Sequence, residues 1–71
     1  MNVVLSQRLM EDLAQSVQSA LDKTRIVNVS TLAEEIRSRN ESENIALEDI
    51  TAQVMAHAQL LSAAMEFDRK V

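Results

Sequence analysis

The sequence predicts an all-α protein, a small domain of three helices in the order long, short, long. Glycine and proline are both absent, which disfavours the tight turns and corners on which sheet proteins depend. Three stretches of the chain also repeat apolar residues at helical spacing. The predicted helices span residues 6–23, 31–39 and 46–69, with a connector at 24–30 and a loop at 40–45.

The size of the chain points to a single domain that needs a partner. Its 71 residues are close to the smallest number from which a chain builds its own core, so residues 1–71 make one domain. Cysteine is absent, so neither disulfides nor thiolate-bound zinc can stabilise it. Helix packing and oligomerisation remain as sources of stability. We therefore expect association, most simply as a homodimer.

The first predicted helix is amphipathic. Asn2 and Ser6 are both candidate N-caps, and Lys23 suits the negative end of the helix dipole. Its apolar positions fall within a stripe of about 140°: Leu9, Met10, Leu13, Ala14, Val17, Ala20 and Leu21.

The connector and the second helix are predicted from local signals. The stretch TRIVNVS, residues 24–30, is rich in β-branched residues, which favours an extended connector and leaves a short strand as an open alternative. Thr31 and Glu34 form a capping-box pattern, so the second helix is expected to begin at Thr31, with Val29 packing onto it from outside. The polar stretch NESEN, residues 40–44, predicts a surface loop.

The third predicted helix has two apolar faces. One face is expected to close the core and contains Leu47, Ile50, Val54, Ala58, Leu61 and Met65. The opposite face contains Ala52, Ala56, Leu60, Ala63 and Phe67, with Met55 and Gln59 at its rim.

The second apolar face predicts an interface, because three helices leave no fourth element to cover it. Self-association about a two-fold axis is the commonest way to bury such a face, since one surface then satisfies both copies. A different protein is the alternative partner. A third interpretation is that alanine is tolerated anywhere on a helix surface, so that only Leu60 and Phe67 need an explanation.

No constellation for chemistry is predicted. His57 is the only histidine and has no nearby second ligand, so we expect neither a metal nor a cofactor. Adjacent acids such as Glu34 and Glu35 point about 100° apart on a helix and do not form a catalytic pair. No glycine supplies an oxyanion loop beside a serine. We expect no catalytic residues and no enzyme activity.

The charge and hydropathy of the chain bear on its partners and location. A net charge of −4 disfavours binding to nucleic acid phosphates and to anionic membranes. The first ten residues do not resemble a secretory signal, and no stretch is long and apolar enough to span a bilayer. We therefore expect a cytoplasmic protein.

One resemblance defines the alternative function. TRIVNVS followed by two helices and a polar loop, residues 24 to about 62, resembles the order of elements in ribbon-helix-helix DNA-binding proteins. That resemblance implies a dimer whose paired strands enter the major groove. A long helix precedes the strand here, and Glu48 and Asp49 place acid where that family directs a helix N-terminus at phosphate.

The helix pair is also similar to a helix-turn-helix, although NESENIA is longer than the usual turn. The sequence thus favours a small noncatalytic protein interaction or regulatory module that self-associates. A dimeric DNA-binding regulator is the alternative.

Overall fold

The structure, a computed structural model, describes residues 5–67. It contains three helices, α1 (Gln7–Thr24), α2 (Val29–Arg39) and α3 (Leu47–Leu60). Two short strands, β1 (Ile26–Asn28) and β2 (Ala64–Glu66), form a parallel sheet. The fold is therefore mostly helical, as predicted, but it is not all-α, because it includes this small sheet.

Helix α1 begins and ends with defined caps. The Ser6 hydroxyl accepts a hydrogen bond from the Leu9 backbone N–H at 3.1 Å and donates one to the Glu43 carboxylate at 2.8 Å. Ser6 is therefore the N-cap, and the other candidate from the sequence, Asn2, lies outside the described residues. At the other end, Arg25 adopts a left-handed conformation with φ 64°, and its N–H donates to the Leu21 carbonyl at 3.0 Å. This single bond is the αL way of ending a helix, for which glycine is usual.

Helix α2 begins earlier than the sequence predicts. The Asn28 side chain accepts a hydrogen bond from the Thr31 N–H at 3.1 Å, so Asn28 is the N-cap and Val29 is the first helical residue. The predicted capping box at Thr31 is therefore wrong. Val29 is fully buried within α2 instead of packing onto it from outside. An asparagine cap outweighed the low helix propensity of a β-branched residue because that residue is buried in the core.

The predicted connector contains the first strand. Residue Ile26 pairs with Ala64, Val27 with Met65 and Asn28 with Glu66. Val27 is fully buried while Ile26 is exposed, as expected when successive side chains of a strand point to opposite sides. The short strand that the sequence left open is therefore present.

A polar cluster joins α1 to the end of α2. The Arg39 guanidinium donates to both carboxylate oxygens of Asp12, at 3.1 and 2.9 Å, and to the Ser16 hydroxyl at 2.7 Å. The Asn40 amide nitrogen donates to Asp12 at 2.7 Å and to the Ile36 carbonyl at 2.8 Å. Asn40 is 7% exposed, so the loop predicted from residue 40 begins with a buried residue. Its amide can be buried because both of its donors find acceptors.

The remainder of that loop is also more ordered than predicted. Residues Glu41–Glu43 form a single 3₁₀ turn. Asn44 then takes a left-handed conformation with φ 55°, which asparagine tolerates better than most residues.

One apolar core joins all three helices and β1. Complete burial of a Leu or Ile side chain stabilises the fold by about 1.5–3 kcal/mol. The buried apolar residues are Leu5, Leu9, Leu13, Val17, Val27, Val29, Ala33, Ile36, Ile50, Val54 and Ala58.

Helix α3 ends at Leu60, far short of the predicted residue 69, and residues 68 and 69 lie outside the described part of the chain. The Ser62 N–H donates to the Gln59 carbonyl at 3.0 Å, and the Ala63 N–H donates to the Ala58 carbonyl at 2.9 Å. This is the Schellman arrangement, with Ser62 at φ 55° in the position usually held by glycine. The helix stops because Ala63 and Met65 pack against the core and β2 pairs with β1, which a continued helix would not allow.

Candidate self-association surface

Three residues of the predicted interface form an exposed row on α3. Ala52, Ala56 and Leu60 are spaced four residues apart, so they lie one above another on the helix. All three are exposed, and Leu60 is 80% exposed, the most of any large apolar residue in the described part of the chain. We call these three residues the α3 outer face. It is uncharged, and its two alanines leave room for close approach of another helix.

The two predicted rim residues differ in their surroundings. Gln59 is exposed beside Leu60 and can contribute a polar edge. Met55 is half-buried and packs against the core. Met55 therefore stabilises the fold of the single chain and borders the α3 outer face at the same time.

The other two predicted interface residues do not lie on α3. Because the helix ends at Leu60, Ala63 lies in the turn that follows, where it is half-buried and packs against the core. Phe67 lies beyond β2 and is 53% exposed. Its carbonyl accepts a hydrogen bond from the Ser30 hydroxyl of α2 at 3.3 Å. Of the five predicted interface residues, the structure thus brings Ala52, Ala56 and Leu60 together on one face and leaves Ala63 and Phe67 apart from them.

Within residues 5–67, two large apolar residues outside the predicted interface are exposed. Leu61 belongs to the predicted core stripe, yet it is 41% exposed because the helix ends before it. Ile26 is 39% exposed on the side of β1 that faces away from the core. The alternation of Ile26, Val27 and Asn28 would have identified this side, but only once the connector was known to be a strand.

The charges near α3 do not suit a phosphate-binding surface. Residues 47–60 contain no Lys or Arg, and Glu48 and Asp49 lie in the first turn of α3. Arg39 is committed to Asp12, and this hydrogen-bonded ion pair lowers the pKa of the Asp12 carboxyl and raises that of the Arg39 guanidinium. Helix α3 therefore lacks the basic side chains that a DNA-reading helix needs, and Arg37 of α2 is the exposed arginine left in the α2–turn–α3 pair.

The strand pairing also differs from that of a ribbon-helix-helix dimer. In such a dimer the strand that precedes the helix pair joins a strand of another chain. Here β1 pairs in parallel with β2 of the same chain. The order of strand, helix and helix is the same as in that family, but the strand here pairs within one chain and not between two chains.

No chemical centre is apparent in the described part of the chain. Residues 5–67 contain no group of three His, Cys, Asp or Glu side chains placed to hold a metal ion. His57 is half-buried on α3. The groove between α1 and α2, about 450 Å³, is open, has both polar and apolar walls, and is lined in part by the Asp12, Ser16 and Arg39 cluster. Those side chains already satisfy one another.

None of the helices within residues 5–67 is long and apolar enough to cross a bilayer. No family model, no curated protein and no solved structure matches this chain.

Proposed function

We propose that this chain is a small noncatalytic protein interaction module that forms a homodimer through the α3 outer face. The observation that carries the proposal is the exposure of Leu60, at 80%, in line with the exposed Ala52 and Ala56. An isolated exposed leucine is ordinary, but a leucine at the end of an uncharged row on one helix is a candidate contact surface.

The spacing of these three residues favours a second copy as the partner. An antiparallel crossing of two α3 helices about a two-fold axis at Ala56 places Leu60 of each copy against Ala52 of the other. A large side chain then meets a small one at each end, and two small ones meet at the centre. Such complementary sizes permit close helix packing, and the two-fold axis uses the same residues twice.

The proposal is tested by the solution mass of the protein over a hundredfold range of concentration. The chain has a mass of 7.9 kDa, and light scattering should show a rise toward twice that value as concentration increases. Leu60→Glu should weaken the dimer by about 3 kcal/mol, more than a hundredfold, because it buries a charge without a partner.

The matched control is Gln15→Glu, which adds the same charge at an exposed position of α1. It should leave the mass unchanged. A wild-type protein that stays at 7.9 kDa throughout, or a Leu60→Glu dimer as stable as the wild type, would reject the α3 outer face as a self-interface.

DNA binding remains the alternative function from the sequence, and it is distinguishable by salt. A DNA-binding regulator would shift duplex DNA at about 50 mM salt and lose that shift steeply as salt rises, and its binding would depend on Arg25, Arg37 or Arg39. The proposed homodimer requires neither DNA nor these arginines. A salt-sensitive shift that Arg37→Ala abolishes would replace the proposal.

A further inference from the structure

The segment from Leu61 to Phe67 combines a helix-forming sequence with a strand conformation. Alanine, methionine and glutamate are strong helix formers, and alanine and glutamate are depleted in strands. Residues Ala64–Glu66 are these three residue types, yet they form β2. Local sequence preference and tertiary structure disagree in this strand, which indicates a conformation held by contacts outside the segment.

Those contacts are few within residues 5–67. In this part of the chain β2 is three residues long and pairs only with β1, in a two-stranded parallel sheet. Parallel sheets are normally covered on both faces and contain more strands, whereas Ile26 and Ala64 are exposed on the outer side of this one. The segment is otherwise held by partial packing of Ala63 and Met65 on the core and by the Ser30 bond to the Phe67 carbonyl.

The turn that directs the chain into β2 is also unfavourable for its residue. Ser62 has φ 55°, a conformation that is sterically costly for any residue with a Cβ atom. The same serine would carry no such cost in a helix. The docked form of the segment is thus disfavoured twice, by the steric cost of the Ser62 turn and by the low strand propensity of β2.

Continuation of α3 through the segment would complete the interface that the sequence predicts. At 100° per residue, Ala63 and Phe67 then lie within about 40° of the direction of the α3 outer face. The helix would lengthen from its 14 residues, about 21 Å, to about 31 Å. It would also add the one aromatic side chain of the protein.

We propose that residues 61–67 are a conformational switch: docked on β1 they limit α3, and undocked they extend α3 into the helix that a second copy binds. This rests on the proposed homodimer. A specific interface covers about 800 Å² on each partner, whereas a single helix face about 21 Å long and 10 Å wide supplies roughly a quarter of that area. The longer helix with Phe67 brings the surface nearer to what a stable dimer needs.

A disulfide that locks the docked form tests the switch. Ile26 and Ala64 are register partners on the exposed side of the sheet. Neighbouring strands lie about 4.8 Å apart, which a disulfide can span. The natural chain has no cysteine, so I26C/A64C carries a single designed bridge, and each single variant, kept reduced, serves as the control.

The expected result is a monomer when I26C/A64C is oxidised and a concentration-dependent dimer when it is reduced. Equal dimerisation in both states would overturn the switch and leave the proposed homodimer intact. The absence of a dimer in the reduced form, the single variants and the wild type would overturn both proposals.

A second pair of variants tests the switch without a crosslink. Ser62→Gly favours the left-handed turn and disfavours helix, so it should raise the dimer dissociation constant about tenfold. Ser62→Ala should lower it, because alanine is the better helix former. In parallel, Cα chemical shifts of residues 64–66 should change from strand to helix values as the dimer forms. Dissociation constants that do not differ, or strand shifts that persist in the dimer, would contradict the switch.

Discussion

The contact between α1 and α2 and the end of α3 differ in how their conformation is held. Between α1 and α2, burial of Leu9, Leu13 and Val17 is reinforced by the Asp12, Arg39 and Asn40 cluster. Beyond Leu60 the chain depends on a turn without glycine and a three-residue strand. Several kinds of contact therefore hold the first region in one conformation, whereas few contacts hold the second. Regions that move during binding are drawn from the second kind.

The core on α3 should show the largest effect of a single substitution. Ile50 is 1% exposed, so Ile50→Ala should lower the free energy of unfolding by about 2–5 kcal/mol through lost burial and the cavity left behind. Leu60→Ala, at the exposed end of the same helix, should change it by less than about 0.5 kcal/mol in dilute monomer. Urea denaturation measures both. Similar losses in the two variants would mean that Leu60 belongs to the core of the single chain.

The polar cluster should show a smaller, pH-dependent effect. Asp12→Asn should cost about 0.5–1 kcal/mol at pH 7, since it removes the ion pair with a half-exposed Arg39 that solvent partly screens. Arg39 lowers the folded-state pKa of Asp12 below its usual 3.8. The contribution of Asp12 is therefore complete above that value and is lost as the pH falls through the lower folded pKa.

Urea denaturation of wild type and Asp12→Asn at several pH values between about 7 and 2 isolates this contribution from that of the other carboxylates. The difference in stability should shrink as the solution is acidified. A difference that stays constant, or grows, would show that the cluster does not stabilise the contact between α1 and α2.

The smallest effect is expected at the end of α1. Arg25 has φ 64°, and glycine adopts this conformation without steric cost, so Arg25→Gly should raise the free energy of unfolding by about 0.5 kcal/mol. Denaturation at fixed pH measures the change, with Lys23→Gly inside the helix as the control. That control should be destabilised by up to about 1 kcal/mol. Destabilisation of both variants would mean that Arg25 makes a compensating contact.

Helical periodicity predicted the centre of the core, while the other residues of the predicted α1 stripe, Met10, Ala14, Ala20 and Leu21, are half-buried. Leu9, Leu13 and Val17 on α1 and Ile50, Val54 and Ala58 on α3 were assigned to the core from their spacing, and all six are buried. Periodicity works at these positions because a side chain that repeats every three or four residues faces the same neighbour throughout an amphipathic helix.

The end of α3 could not be predicted in this way, because residues 61–67 continue the helical pattern of apolar residues. What ends the helix is pairing with β1, a contact between residues far apart in the chain that no local pattern contains. The candidate interface was predicted in part for the same reason. Ala52, Ala56 and Leu60 lie before the break and stay aligned, whereas Ala63 and Phe67 lie after it and do not.

The proposed two-fold axis at Ala56 is tested most directly by Ala56→Cys, the only cysteine in such a variant. If two α3 helices cross at this residue, mild oxidation should produce a covalent dimer rapidly, because the two thiols then lie face to face. Ser19→Cys, exposed on α1, should form little covalent dimer at the same concentration. Equal rates for the two variants would contradict the self-association of the α3 outer face.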